Sequence, residues 1–129
     1  MQNKLVVLIN GQPMIEYDRS VRLPGHQRQF LDKMDLDMDL GIKLGDRDID
    51  EPDTNARAQF IGMHLVMAVL DDNESKISAM CAWLATRLPE LKQVKAVTRN
   101  DDIEMELVFD REFQNQVTVN FDTNLNPEK

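Results

Sequence analysis

The sequence predicts an α+β fold, in which an antiparallel sheet packs on a central helical hairpin and one further helix. Three features indicate this class: a short apolar run before Asn10, helical spacing of apolar residues between Ala56 and Leu88, and alternation of apolar and polar residues after Pro89. Helices bring every third or fourth side chain to one face, and strands bring every second one. The elements follow in the order β-β-α-α-α-β-β-β, which we assign to one domain, residues 1–122.

The N-terminal region predicts a β-hairpin. Leu5 to Ile9 form an apolar run rich in β-branched residues, and Asn10-Gly11 is the pair preferred in two-residue hairpin turns. Met14 to Tyr17 supply the returning strand. Pro13 has no N–H group to donate to a sheet, so the returning strand is predicted to lie at an edge or to begin after this residue.

Residues 34–44 are ambiguous, because their apolar side chains fit both a helical stripe and a strict alternation. The residue types favour a helix, since leucine, methionine, glutamine and lysine are good helix formers. We therefore predict a helix from His26 to Asp39 and an extended segment through Leu44. An acidic loop from Gly45 to Pro52 is predicted to lead into the central helix.

The segment from Ala56 to Leu70 predicts a helix that is apolar around most of its circumference. Two adjoining stripes at helical spacing contain Ala56, Phe60, Met63, Met67 and Leu70, and Ala58, Ile61, Leu65 and Val69. Such a helix is normally enclosed by other protein. A second helix follows, with Asp71 or Asp72 predicted as its N-cap, Glu74 completing a capping box, and Pro89 ending it.

The C-terminal part of the chain predicts a three-strand antiparallel meander. Its strands run from Val94 to Thr98, from Ile103 to Phe109 and from Val117 to Phe121, and apolar and polar residues alternate along them. This alternation is typical of strands with one buried and one solvated face. Residues 123–129 are predicted to form a disordered tail.

The chain is acidic, with a formal net charge of -8. An acidic surface repels phosphate groups, so we expect neither nucleic acid nor an anionic membrane as a partner. The single cysteine, Cys81, excludes an intramolecular disulfide. The N-terminal apolar run is too short for a signal peptide, which leads us to expect a cytoplasmic location.

The acidic run that begins at Asp35 is the one feature resembling a chemical motif. Asp35, Asp37 and Asp39 have the spacing of the first ligands of a calcium loop, and Asp46 occupies the twelfth position. However, Leu40 stands where such a loop needs glycine, and the twelfth ligand is usually glutamate. We therefore favour a solvated acidic face, and keep a divalent-cation-binding module of these four carboxylates as the alternative.

Three residues are candidates for contact with a partner. Gly62 within a helix costs about 1 kcal/mol relative to alanine, and allows another element or a second subunit to approach closely. His64 lies in the most apolar helix, where we favour a core or subunit contact over a role as a general base. Trp83 either packs in the core or anchors a partner, because tryptophan is frequent at binding hot spots.

The functional expectation follows partly from missing motifs and partly from the central helix. The sequence contains no phosphate loop, nucleophile elbow or zinc motif, so we expect no enzyme activity and no cofactor. The central helix has more apolar surface than a fold of this size covers easily, and a homodimer would bury the surplus. We expect a protein that acts by protein contact, as an adaptor, regulator or chaperone, with a second copy as partner. An enzyme that uses His64 in a pocket is a third hypothesis.

Overall fold

The computed structural model describes residues 4–111 of the chain. The strands and helices follow in the order β1 (Lys4–Ile9), β2 (Gln12–Asp18), α1 (Gly25–Asp39), β3 (Ile42–Leu44), β4 (Arg47–Ile49), α2 (Thr54–Leu70), α3 (Glu74–Arg87), β5 (Gln93–Arg99) and β6 (Asp102–Val108). The predicted α+β class is confirmed, because a four-stranded sheet packs on the helices. The predicted strand from Val117 to Phe121 and the predicted tail at 123–129 lie outside the described residues.

The four-stranded sheet has the order β2-β1-β5-β6. β1 pairs antiparallel with β2, and β5 pairs antiparallel with β6. Between these two hairpins, β1 and β5 are parallel, with Val7 opposite Val94 and Ile9 opposite Ala96. The sheet is therefore antiparallel except at its centre, where hairpins from distant parts of the chain meet.

Strand β1 is buried on both faces of the sheet. Leu5, Val7 and Ile9 belong to the core that the helices share, whereas Val6 and Leu8 alternate with them and are also buried. A continuous apolar run is typical of a strand that is covered on both sides and has a parallel neighbour. The apolar character of β1 thus matches its central place in the sheet.

The predicted loop from Gly45 to Pro52 is wrong in part. Leu44 pairs with Arg47 across a Gly-Asp turn, and β3 and β4 form a separate two-stranded sheet. Gly45 has a φ of +61°, a conformation that glycine adopts without steric cost. A Gly-Asp pair between two short alternating runs is a hairpin signal, but the high acidic content of this stretch favoured a loop prediction.

The helices α2 and α3 are capped by side chains. Asp53 accepts a hydrogen bond from the first turn of α2 at 2.8 Å, and Asn73 accepts one from the Lys76 N–H group at 3.3 Å. The predicted cap of α3 at Asp71 or Asp72 is wrong, because the side chain that accepts a hydrogen bond from the first turn of α3 is that of Asn73. Asp71 and Asp72 end the first helix, and the next residue starts the second one.

Helix α2 packs against α3, β3 and β6, and its buried side chains form one side of the helix. They are Ala58, Ile61, Leu65, Val66 and Ala68, together with Gly62. A Cβ atom added to Gly62 would lie 2.7 Å from Met105 Sδ on β6, closer than such atoms approach in proteins. The close approach expected at Gly62 therefore occurs, and the approaching element is a strand of the same chain.

We predict that the size of the side chain at position 62 sets the spacing of α2 and β6. Gly62→Val should lower the free energy of unfolding by about 1–3 kcal/mol, because the added atoms overpack this contact. Gly62→Ala should change it by less than about 1 kcal/mol, since the gain in helix propensity offsets a shift of the flexible Met105 thioether. Reversible urea denaturation measures both values.

Gly25→Ala serves as the control, because no atom lies within 4 Å of a Cβ added at that position. A Gly62→Val variant that unfolds at the same urea concentration as the wild type would contradict the predicted contact.

Candidate functional site

One side of α2 is partly exposed although its side chains are apolar. Met67 and Leu70 are 46% and 51% exposed, and Phe60 and Met63 are partly exposed. We call these four residues the α2 stripe. From Ala58 to Leu70 the helix contains no aspartate, glutamate, lysine or arginine. The sequence predicted that other protein surrounds this helix, and within residues 4–111 it is covered on one side only.

A cleft of about 460 Å³ lies beside the α2 stripe, between α2, the end of β3 and β6. We call it the α2–β6 cleft. Its apolar side chains come from both α2 and the β-strands, and include Phe60, Met63, Met105, Leu107 and Phe109. Its polar side chains are Lys43, Asn55, Gln59 and His64. The cleft therefore combines an apolar wall with a small number of polar groups, which is typical of small-molecule sites.

His64 is the titratable group of the α2–β6 cleft with a perturbed pKa. Burial, and to a smaller extent the charge of Lys76, lower the pKa of His64 from its ordinary value of 6.5. The imidazole packs on Phe60, with ring centroids 4.4 Å apart and ring planes inclined by 59°. At neutral pH the side chain is therefore an uncharged imidazole, which can donate one hydrogen bond and accept another.

A network of ion pairs centred on Asp35 joins the three helices. The carboxylate of Asp35 accepts hydrogen bonds from Trp83 Nε1 at 2.8 Å and from Arg87 Nε at 3.0 Å. Arg57 on α2 donates to the Asp35 carbonyl oxygen at 3.1 Å and pairs with the Asp39 carboxylate. Because Asp35, Arg57 and Arg87 are partly buried and hydrogen-bonded within this network, the network fixes α1 against α2 and α3.

This network determines the environment of Trp83. The side chain of Trp83 is 1% exposed, and its one N–H donor is satisfied by Asp35. Trp83 therefore packs in the core, which is one of the two interpretations that the sequence allowed. Gly62 is also enclosed within the chain, by Met105. Of the three candidates for partner contact, His64 is the one that lines an open surface, the α2–β6 cleft.

The four carboxylates of the alternative cation site are distributed over different surroundings. Asp35 and Asp39 face the arginines of α2 and α3, whereas Asp37 pairs with Lys33 at 3.5 Å. Asp46 lies in the turn between β3 and β4. The first three lie on a helix, where residues two apart do not share a face. Within residues 4–111, no group of three or more His, Cys, Asp or Glu side chains is placed to hold a metal ion.

Cys81 is buried in the core, where it packs among apolar side chains. Burial raises the pKa of the Cys81 thiol to about 12, so the thiol is protonated at neutral pH. A reactive cysteine needs an accessible setting that stabilises the thiolate. The side chain of Cys81 therefore acts as a small apolar core residue.

Sequence patterns did not indicate which residues meet in the network around Asp35 or in the α2–β6 cleft. Arg57, Arg87 and Asp35 are far apart in the sequence and meet only after the helices pack. Lys43 and Met105 likewise reach the α2–β6 cleft from different strands. A partial signal existed for Arg57, since it is the last charged residue before an uncharged helix of thirteen residues, Ala58 to Leu70.

We predict that Asp35 stabilises the packing of α1. Asp35→Ala should lower the free energy of unfolding by about 2 kcal/mol, because it leaves the buried Trp83 N–H group without an acceptor and removes one of the two carboxylate partners of Arg87, the other being Asp32. Asp35→Asn keeps an acceptor for Trp83 and should cost less. Urea denaturation of the variants measures these differences.

Asp37→Ala is the matched control on the same helix, because Asp37 is exposed. This substitution should change the free energy of unfolding by about 0.5 kcal/mol or less. If Asp35→Ala and Asp37→Ala lowered the free energy of unfolding equally, the network would not contribute to stability.

We predict a pH dependence of stability that originates at His64. Its pKa is lower in the folded protein than the ordinary value of 6.5, so below about pH 6.5 the unfolded chain binds more protons than the folded one. The free energy of unfolding therefore falls as the pH falls through this window. His64→Gln removes this component, so the free energy of unfolding of the wild type should fall relative to that of the variant from about pH 7 to about pH 5. A difference that stays constant across this range would exclude the effect.

Comparisons with known proteins do not identify a relative of this chain. No protein-family model, no curated protein and no solved structure matches it. Among the described residues, no helix combines the length and the apolar character that crossing a membrane requires. Function is therefore inferred from the α2 stripe and the α2–β6 cleft.

Proposed function

We propose that this protein acts through contact with another protein chain, and that the contact surface is the α2 stripe. The observation that carries this proposal is the exposure of Met67 and Leu70 on a helix that is otherwise the centre of the core. Single exposed apolar residues are common on protein surfaces. The α2 stripe combines two exposed and two partly exposed apolar residues at helical spacing on one face, and such an apolar strip is more typical of an interaction site.

The charge distribution supports a second copy of this chain as the partner. Each chain carries a net charge of -8, so two copies repel each other over most of their surfaces. The helix is uncharged from Ala58 to Leu70, which makes the α2 stripe a surface where two such chains can approach with little repulsion. A basic partner would instead be attracted to the acidic side chains elsewhere.

A two-fold dimer fits the shape of the α2 stripe. In such a dimer the same patch of each subunit contacts its own copy, so a patch must be complementary to itself. A straight row of flexible and aromatic apolar side chains meets this condition, because methionine adapts its shape to an uneven opposing surface. Phe60 and Leu70 at the two ends would then define the length of the interface.

The proposal includes an adaptor, regulatory or chaperone-like role in the cytoplasm, as expected from the sequence. In that case the dimer would be the working unit, and the client would bind elsewhere or compete for the α2 stripe. The distribution of the four carboxylates gives no support to the alternative of a divalent-cation-binding module.

We predict that the wild-type chain sediments with twice the chain mass at micromolar concentration, and that Met67→Glu sediments as a monomer. The glutamate places a charge at the middle of the apolar contact, and two such charges would oppose each other across the two-fold axis. Met67 is half exposed, so this variant should keep its fold. Sedimentation equilibrium measures the mass of both proteins.

Leu36→Glu is the matched control, because Leu36 is 65% exposed on α1 and lies outside the α2 stripe. It introduces the same charge and should leave the mass unchanged. A wild-type chain that is monomeric throughout the micromolar range would overturn the proposal, as would a Met67→Glu variant that remains dimeric.

A further inference from the structure

We infer that the α2–β6 cleft binds a small amphipathic anion, with a flat aromatic body and one carboxylate or sulfonate group. The cleft adjoins the α2 stripe and shares Phe60 and Met63 with it, but the inference does not rest on the proposed dimer contact. It depends on the size of the cleft, its aromatic and thioether side chains, and the sign of the charge among its lining residues.

The size and the composition of the cleft suit a small molecule. Its volume of about 460 Å³ lies within the range of roughly 300–1,000 Å³ that ligand sites occupy. The rings of Phe60, His64 and Phe109 and the thioethers of Met63 and Met105 line it. Aromatic rings and methionine sulfur make favourable contacts with a flat aromatic body, which explains the first part of the inference.

The α2–β6 cleft is held by regular secondary structure. Phe60, Met63 and His64 lie on α2, and Met105 and Leu107 lie on β6. Gly62 allows these two elements to approach, because a Cβ atom there would collide with Met105. The opening is therefore set by a helix and a strand that are packed together, and such elements hold a site more accurately than loops do.

The lining charges favour an anion over a cation. Among the described residues that line the cleft, Lys43 carries a formal charge, and no aspartate or glutamate is present. This is unusual in a chain with a net charge of -8. Asn55 and Gln59 add amide N–H donors, which suit an anionic oxygen. The neutral imidazole of His64 supplies one further donor or acceptor.

The placement of the polar groups defines the orientation of the ligand. Lys43 and Asn55 come from β3 and from the first turn of α2, whereas Leu107 lies near the end of β6 and Phe109 directly follows that strand. An amphipathic molecule would direct its anionic group toward Lys43 and its aromatic body toward β6. A bare inorganic anion would leave the apolar part of the wall, from Phe60 and Met63 to Leu107, without a contact.

Two fluorescent probes with the same aromatic body test the inference. One is 8-anilinonaphthalene-1-sulfonate, an aromatic monoanion, and the other is N-phenyl-1-naphthylamine, which lacks the sulfonate. Titration of the full-length chain with each probe should give one saturable site, and the anion should bind more tightly. Phe109→Ser should weaken the binding of both probes, because Phe109 contributes to the apolar wall. Phe109 lies outside the α2 stripe, so this variant leaves the proposed dimer contact unchanged.

Lys43→Gln separates the charge effect from the apolar effect. It should lower the affinity for the anionic probe by roughly two- to five-fold, the range expected for one exposed charge, and leave the affinity for the neutral probe unchanged. Lys95→Gln is the matched control, because Lys95 lies on β5 and does not line the cleft. Both lysines are outside the core, so the variants should fold as the wild type does.

Two further variants locate the binding site. Met67→Glu changes a residue of the α2 stripe that does not line the cleft, so this variant should bind both probes at least as tightly as the wild type does. Loss of the proposed dimer would only uncover Phe60 and Met63, which line the cleft. Phe30→Gln changes a second groove between α1 and α3 and should have no effect. The inference is overturned if neither probe binds, if the two probes bind equally well to the wild type, or if Lys43→Gln leaves the anionic affinity unchanged. It is also overturned if Met67→Glu or Phe30→Gln removes binding.

Discussion

Helix α2 is apolar over more of its circumference than the sheet and the other helices cover, and the rest of the structure is arranged around this constraint. Its small side chains, Ala58, Gly62 and Ala68, lie on the buried side and allow close packing. The larger Met67 and Leu70 remain on the outer side. A helix on a single sheet can bury about one side, so within residues 4–111 part of the apolar surface of α2 is left uncovered.

The polar counterpart of this apolar helix is the network around Asp35. Arginines from α2 and α3 meet carboxylates of α1, and an indole N–H donor completes the set. Part of the acidic run thus has a structural role in holding α1 against the other helices. The remaining carboxylates of the run face solvent and contribute to the negative surface that distinguishes the α2 stripe from its surroundings.

The local features of the fold could be predicted from the sequence, because short-range chemistry determines them. The hairpin at Asn10-Gly11 and the helix from His26 to Asp39 depend on turn residues and on side-chain spacing. The cap of α3 was misplaced by two residues or fewer, since three adjacent polar residues, Asp71 to Asn73, compete for the same role.

The features that join distant segments could not be predicted in the same way. The parallel pairing of β1 with β5 and the meeting of Asp35 with Trp83 depend on how the whole chain packs. Periodicity identifies two apolar stripes on α2, but it does not decide which of them faces the core. The α2–β6 cleft combines β3, α2 and β6, so its existence follows from that packing and leaves no mark in any one stretch of sequence.

The most direct measurement of the central claim, that the α2 stripe is a contact surface between chains, uses the methionine methyl groups. The chain has eight methionines, of which Met63 and Met67 lie in the α2 stripe and Met14 is 51% exposed on β2. With ¹³C-labelled methionine methyl groups, NMR spectra are recorded while the protein is diluted. The account predicts that the Met67 signal moves with protein concentration and that the Met14 signal does not. A Met67 signal that stays at one position over the whole dilution series would contradict it.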